Sequence, residues 1–146
     1  MSKVQVFASF DEPQDEDLRE RLQRDASEPG SLFDLVGWSG TGPITDAWMA
    51  SARSRIAAAD EMVVICSEHS ASSERMAAEM SIATDEGIPC LLLWGRRDEM
   101  CTKPEGAKRN AGMYAWTRDV YDNQLAATAR QAKKLEIPES LKRRQP

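Results

Sequence analysis

Cysteine is scarce and histidine nearly absent: the 146 residues hold only Cys66, Cys90 and Cys101 and a single histidine, His69. Three thiols without a CxxC spacing or a Cys/His cluster suggest neither a disulfide framework nor a zinc site. Reduced thiols are expected, two of them in strands, and no metal. Long apolar runs are also missing. Nothing approaches the roughly 18 consecutive apolar residues that a membrane span needs, and no positively charged leader precedes an apolar stretch. The expectation is a soluble, cytoplasmic protein with no membrane association. Nor is there an excess of positive charge. A net charge of −5 argues against general binding to nucleic acid, which favours a basic surface through counterion release. The basic clusters that do occur, Arg96, Arg97, Lys103, Lys108 and Arg109, and then Lys142, Arg143 and Arg144, read as solvated surface.

What is present is a regular alternation of strand and helix patterns. Val4 to about Ser9 alternates and is β-rich, and Leu18, Leu22 and Ala26 then mark one face of a helix that opens on Asp15, Glu16 and Asp17 and stops at Pro29-Gly30. Phe33 to Val36 reads as a second strand, followed by the glycine-rich loop Gly37–Pro43. Thr45 is a plausible N-cap for a helix to about Asp60. In that helix Trp48, Ala52, Ile56 and Ala59 form the buried stripe, so Trp48 and Ile56 are expected in the core. Met62–Cys66 and Pro89–Trp94 are continuous apolar runs of the kind buried on both faces of a parallel sheet. Between them Ser72–Glu86 is helical, closed by Gly87 and Pro89. Met113–Ala115 is a short fifth strand, and Thr117–Leu135 a closing helix. The pattern predicts a three-layer, flavodoxin-like α/β fold: a parallel sheet of about five strands with helices on both faces. One domain covers residues 1–134 and a basic tail 135–146.

Ligands of such sheets bind beyond the carboxyl ends of the strands. That edge carries Ser9, Phe10 and Asp11, then Trp38 and Ser39, then His69 to Ser73, then Arg96 and Arg97. Glu79 is the sharpest single feature. At roughly 100° per residue it points about 60° from Met76 and about 40° from Ala83, at the margin of the apolar stripe. A bland reading also fits: a helix-favouring Glu whose stem packs while its head stays wet. The loop 37–42 matches neither GxGxxG nor GxxxxGK[ST], and is read as mobile. Its Trp38 either anchors a partner or closes over a base, or folds back as a hydrophobic plug. His69 has no Ser or Cys in a nucleophile-elbow context, so no triad is expected. A phosphoacceptor receiver would need an Asp where the third strand ends at Cys66-Ser67.

From Val4 to about Arg130 the chain resembles the Toll/interleukin receptor (TIR) superfamily, in particular the prokaryotic TIR-like proteins of Thoeris-type antiphage systems. The resemblance lies in Val6-Phe7-Ala8-Ser9-Phe10-Asp11, in Trp48 and Arg55-Ile56, and in Asp60 leading into Val63-Val64-Ile65-Cys66. It continues through His69-Ser70, Ser73, Glu79, Ala83 and Gly87-Ile88-Pro89 to Tyr114-Ala115-Trp116-Thr117. The resemblance implies chemistry on NAD, as glycohydrolase or ADP-ribose cyclase, at a Glu that follows a Ser by six residues, here Glu79 and Ser73. It further implies that Phe10 stacks on a ring of the nucleotide, that Ser9, Asp11 and Ser39 line the pocket, and that Arg96 approaches the pyrophosphate. Arg75 and Met76 depart from the aromatic and small or thiol residues found there in many relatives, which leaves the pocket wall open. By the same resemblance the protein would assemble as a homo-oligomer, and its product would act on a downstream effector protein.

Three functions stay in contention at this point. The first is an NAD-consuming enzyme making a nucleotide signal in antiphage defence, and the second a non-enzymatic TIR-like interaction module, since fold does not fix function. The third is a nucleoside deoxyribosyltransferase-like enzyme, which also uses a catalytic Glu on a similar sheet.

Overall fold

The alternation of Val4, Val6 and Ala8 with Gln5, Phe7 and Ser9 gives β1 (Val4–Ser9) two apolar faces, which seats it in the middle of a sheet. The structure is a computed structural model that describes residues 3–12, 14–108 and 111–125. The chain continues through α1 (Glu16–Ser27), β2 (Phe33–Trp38), α2 (Asp46–Ala57), β3 (Glu61–Cys66), α3 (Glu74–Glu86), β4 (Cys90–Trp94) and β5 (Met113–Ala115). A short α4 (Arg118–Val120) then runs into a π-helical turn, Tyr121–Leu125. The expected extension of this last helix to Leu135, the basic tail 135–146 and Arg109 lie outside the described residues. The five strands are all parallel and lie in the order β2-β1-β3-β4-β5. This is the three-layer, flavodoxin-like arrangement that the sequence pattern predicts. Among the described residues no helix is long and apolar enough to cross a membrane.

Two apolar layers flank the sheet. On one side Val4, Val6, Ala8 and Phe10 pack with Leu18, Leu22 and Ala26 of α1 and with Trp116, Tyr121 and Leu125. On the other, Phe7, Met62, Val64 and Cys66 pack with Ala52 and Ile56 of α2 and Met76, Met80 and Ala83 of α3. The helices begin and end where side chains satisfy the exposed backbone groups. Thr45 and Ser73 accept from the third N–H beyond them, at Trp48 and Met76, and Gly87 ends α3 in the left-handed conformation at φ +69°. Gly95 is required for a different reason. A Cβ there would lie 2.6 Å from the Cys66 carbonyl oxygen and 2.9 Å from Leu18, so only glycine lets the chain leave β4 this close to β3.

Strand β2 departs from the simple reading at one position. Val6 pairs with Leu35 but Phe7 pairs with Gly37, so Val36 is bulged out of the ladder and exposed. Because side chains alternate with a period of two, one extra residue inverts every face that follows. Phe33 and Leu35 face the α1 layer before the bulge. After it, Trp38 does so, and Ser39 turns to the opposite side. The ladder runs on to Ser39, whose N–H donates to the Ala8 carbonyl at 3.0 Å.

Trp38 is therefore strand, not mobile loop. It is half-buried against the α1 layer with the Arg19 guanidinium 4.5 Å over its ring, which is the plug arrangement. Of the two stripe residues expected in the core, Ile56 is fully buried, but Trp48 is half-buried at the margin of the α2–α3 layer, where its Nε1 covers Gly40. A ring that keeps part of its surface in water loses less on truncation. Trp48→Ala should cost about 1–2 kcal/mol in urea melts, against the roughly 3–5 kcal/mol typical of an enclosed ring.

Candidate functional site

The carboxyl ends of β1 and β2 meet the first turns of α3 on the α2–α3 side of the sheet, and Glu79 projects into that junction. Ser9, the last residue of β1, donates its hydroxyl to Glu79 Oε1 at 2.7 Å. Ser39, turned to this side by the bulge at Val36, donates to the same oxygen at 2.7 Å. The Ser39 hydroxyl oxygen in turn accepts the Phe10 N–H at 3.2 Å, which fixes its rotamer. Two hydroxyls, one from the end of β1 and one from just beyond β2, thus converge on one carboxylate oxygen of α3, and all three residues are buried. The other oxygen, Oε2, has no hydrogen-bond partner among the described residues.

Glu79 is wholly enclosed, so the reading in which its head stays wet does not hold. Burial pushes its carboxyl up to about 7; the bonds from Ser39 and Ser9 and the charges of Arg75 and Arg55 pull the other way without cancelling it. Near neutral pH both its protonated and its ionised form are within reach. A buried carboxyl poised in this range, with one oxygen oriented by two hydroxyls and the other uncommitted, is an arrangement suited to proton transfer or to stabilising nearby positive charge.

Arg75 lies one turn before Glu79 on the same side of α3. Its Nε donates to the Gly42 carbonyl at 3.0 Å and its Nη1 to the Glu12 carbonyl at 3.0 Å. One guanidinium thereby ties the β1–α1 loop to the β2–α2 loop across the top of the site. Above the tie lies a shallow cleft of about 280 Å³, lined by Asp11, Gly42, Pro43, Ser73 and Arg75 among others. Glu79 is not among its walls. Asp11 is held above the usual carboxylate range by burial and by the neighbouring Asp15, against the pull of His69, Ser73 and Arg75.

The other candidates take different places. Ser73 caps α3 and lines the cleft, but its bond goes to the Met76 N–H and not to Glu79. Phe10 is completely buried in the α1 layer, so in this arrangement its ring offers no face to a nucleotide. Arg96 is committed to acids at the start of α1. It reaches Asp15 at 3.0 Å and Asp17 at 2.9 Å, and a second N–H meets Asp17 at 3.1 Å, so it does not face the Glu79 junction as a free cation. The thiols are unpaired, and burial raises Cys66 to about 12 and Cys90 to about 11, which leaves both as inert thiols near neutral pH. Among the described residues no group of His, Cys, Asp and Glu is placed to hold a metal. The tie made by Arg75 was not legible in sequence, because its two acceptors are backbone carbonyls, which carry no residue-type signal.

No family model matches the chain, and no curated protein matches it. The chemistry of the site therefore stands on its geometry and on the resemblance of its residues.

Proposed function

We propose that the protein is a TIR-like enzyme that cleaves the nicotinamide–ribose bond of NAD, with Glu79 as the catalytic carboxylate. The observation that carries this reading is the uncommitted Oε2 of a buried carboxyl whose Oε1 is fixed by Ser9 and Ser39. Cleavage of that bond expels neutral nicotinamide, which needs no proton, so the second acid of an ordinary glycosidase is dispensable. What the protein must supply is negative charge near the ribose as it becomes oxocarbenium-like. An ionised Glu79 accepting the ribose hydroxyls at Oε2 supplies it, and in a water-poor site such a term contributes a few kcal/mol. Ser9 and Ser39 act as positioning residues that keep the carboxylate from rotating. The cleft beside Asp11 and Ser73 is the approach, and the two loops tied by Arg75 part to admit the sugar. Water or a hydroxyl of the same ADP-ribose then takes the anomeric carbon, giving a linear or a cyclic product.

The test is direct: incubate the purified full chain with NAD and measure released nicotinamide. The ionised form is the active one, so kcat/KM should rise with pH through about 7 and level off above it. A second reading is favoured by one observation, the complete enclosure of Glu79, which also suits a non-enzymatic interaction module with a buried polar anchor. A chain that folds, binds partners and releases no nicotinamide at any pH or protein concentration would belong to that class.

A further inference from the structure

The resemblance sends the pyrophosphate of a ligand to Arg96, but that cation is spent on Asp15 and Asp17. A different guanidinium stands beside the carboxylate. Arg75 is a wall of the cleft of about 280 Å³ and precedes Glu79 by one turn of α3, so the two side chains rise from neighbouring positions on one helix face. Of its five N–H groups only two are taken, Nε by the Gly42 carbonyl and Nη1 by the Glu12 carbonyl, which leaves three uncommitted among the described residues. Both acceptors are neutral. The tie therefore uses the hydrogen-bonding capacity of Arg75 in part and its charge not at all.

A second cation shares this situation. Arg55 of α2 donates to the Trp38 carbonyl at 3.3 Å, and its charge acts on Glu79 as that of Arg75 does. Neither Arg55 nor Arg75 is held in an ion pair among the described residues. Asp11, Glu12 and Glu74 stand near Arg75, yet none of them pairs with it. A guanidinium that donates only to neutral carbonyls keeps its preference for an anion, because a bond to a charged oxygen is roughly twice as strong, and its fork matches two phosphate oxygens. Distance selects the anion. A ribose whose hydroxyls meet Glu79 Oε2 carries its own 5′-phosphate roughly one helical turn away, which is the separation of Arg75 from Glu79 along α3. The cleft volume lies just below the range of drug-sized pockets, which suits one sugar phosphate, with the rest of a larger substrate outside.

We propose that Arg75 is the specificity-determining residue of the Glu79 site, holding the 5′-phosphate of the ribosyl substrate, so that 5′-phosphorylated ribosides are accepted and bare nucleosides are refused. The inference rests on the chemistry proposed for Glu79. Calorimetric titration of the full chain with ribose 5-phosphate, which carries no scissile base, should show saturable binding. Ribose and inorganic phosphate, each lacking one half of the ligand, should each bind at least about tenfold more weakly. Arg75→Gln should bring ribose 5-phosphate down to the level of ribose and leave ribose itself unchanged, a pattern that mere loosening of the loops would not produce. Arg75→Lys keeps the charge without the planar fork that holds both carbonyls, and should retain a preference for the phosphorylated sugar of at least about threefold. Absence of saturable binding would overturn the proposal, as would equal affinity for ribose or for inorganic phosphate, or a preference that survives Arg75→Gln. A preference lost as completely in Arg75→Lys as in Arg75→Gln would trace the effect to the tied loops and overturn it as well. Nicotinamide release from NAD, measured beside the titrations, separates this inference from the reading beneath it. Release without any phosphate preference rejects the role of Arg75 alone, and a phosphate preference without release rejects the cleavage chemistry alone.

Discussion

The Glu79→Gln protein should release no measurable nicotinamide from NAD and yet, above pH 7, should be more stable than the parent chain. Gln keeps an acceptor oxygen for the Ser9 and Ser39 hydroxyls, so the geometry of the junction survives. What disappears is the negative charge. Without it the ribose cation has no electrostatic partner, and a loss of at least about 100-fold in rate is expected, comparable to removing an oxyanion-hole donor elsewhere. The stability follows from linkage. The folded pKa is about 7 against an ordinary 4.5, so between those values the folded chain holds a proton that the unfolded chain has lost. The stability present below pH 4.5 is therefore lost as pH rises through 7, to a total of about 3 kcal/mol. Gln does not titrate and escapes that loss. Its buried NH2 lacks a partner where Oε2 also lacked one, which takes back part of the gain and leaves about 1–2 kcal/mol at pH 8. Melting temperatures at pH 5 and pH 8 measure it: the advantage of the variant must grow with pH. Nicotinamide release within tenfold of the parent would remove Glu79 from the chemistry, and a pH-independent stability difference would show that its carboxyl titrates normally.

Phe10→Ala should destabilise the fold by about 3–5 kcal/mol, as for other enclosed aromatic rings. The resemblance implies a stacking role for this ring, and such a role predicts the reverse pattern of effects. A stacking ring can be removed at little cost to stability and at great cost to substrate affinity. A core ring behaves oppositely: Phe10→Leu, which keeps most of the volume, should fold with a loss below about 1.5 kcal/mol and retain whatever affinity the parent has for NAD. Urea melts of both variants beside NAD titration of the leucine protein separate the two. A well-folded Phe10→Ala with unchanged midpoint would return the ring to the ligand.

The run of strands and helices along the chain, the helix cap at Thr45 and the stop at Gly87 were legible because each rests on local pattern. Period-two and period-3.6 apolar spacing, hydroxyl caps and glycine in the left-handed region are properties of neighbouring residues. The same local signals placed Ser9 and Ser39 at the carboxyl edge of the sheet and Glu79 at the margin of the apolar stripe of its helix. That both serines bond the same oxygen was not legible, since it depends on the extra residue at Val36, and a bulge looks like any other residue of an apolar run. The bulge also explains the misplacement of Trp38, which a shorter second strand left in the loop. Trp48 was misjudged for another reason: a stripe gives the direction a side chain points, not how far the neighbouring layer extends to cover it. The pairing of Arg96 with Asp15 and Asp17 spans about 80 residues of chain, a separation at which sequence spacing carries no geometric information.

Arg75 binds two loops with one side chain, and this makes their motions a single event. Parting either loop from α3 breaks a charge-assisted bond worth roughly 1.5 kcal/mol, and parting both costs about 3 kcal/mol, a factor of about 100 against any arrangement in which both are parted. On the proposed route, a ligand that reaches Glu79 only through the parted loops would lose the same factor of about 100 in apparent affinity. Anything that engages the Gly42 and Glu12 carbonyls in place of Arg75, or draws the guanidinium away, restores the missing factor without touching the carboxylate. On the proposed chemistry, a gain of about two orders of magnitude in apparent affinity would thus reside in one residue that does not touch the reacting atoms.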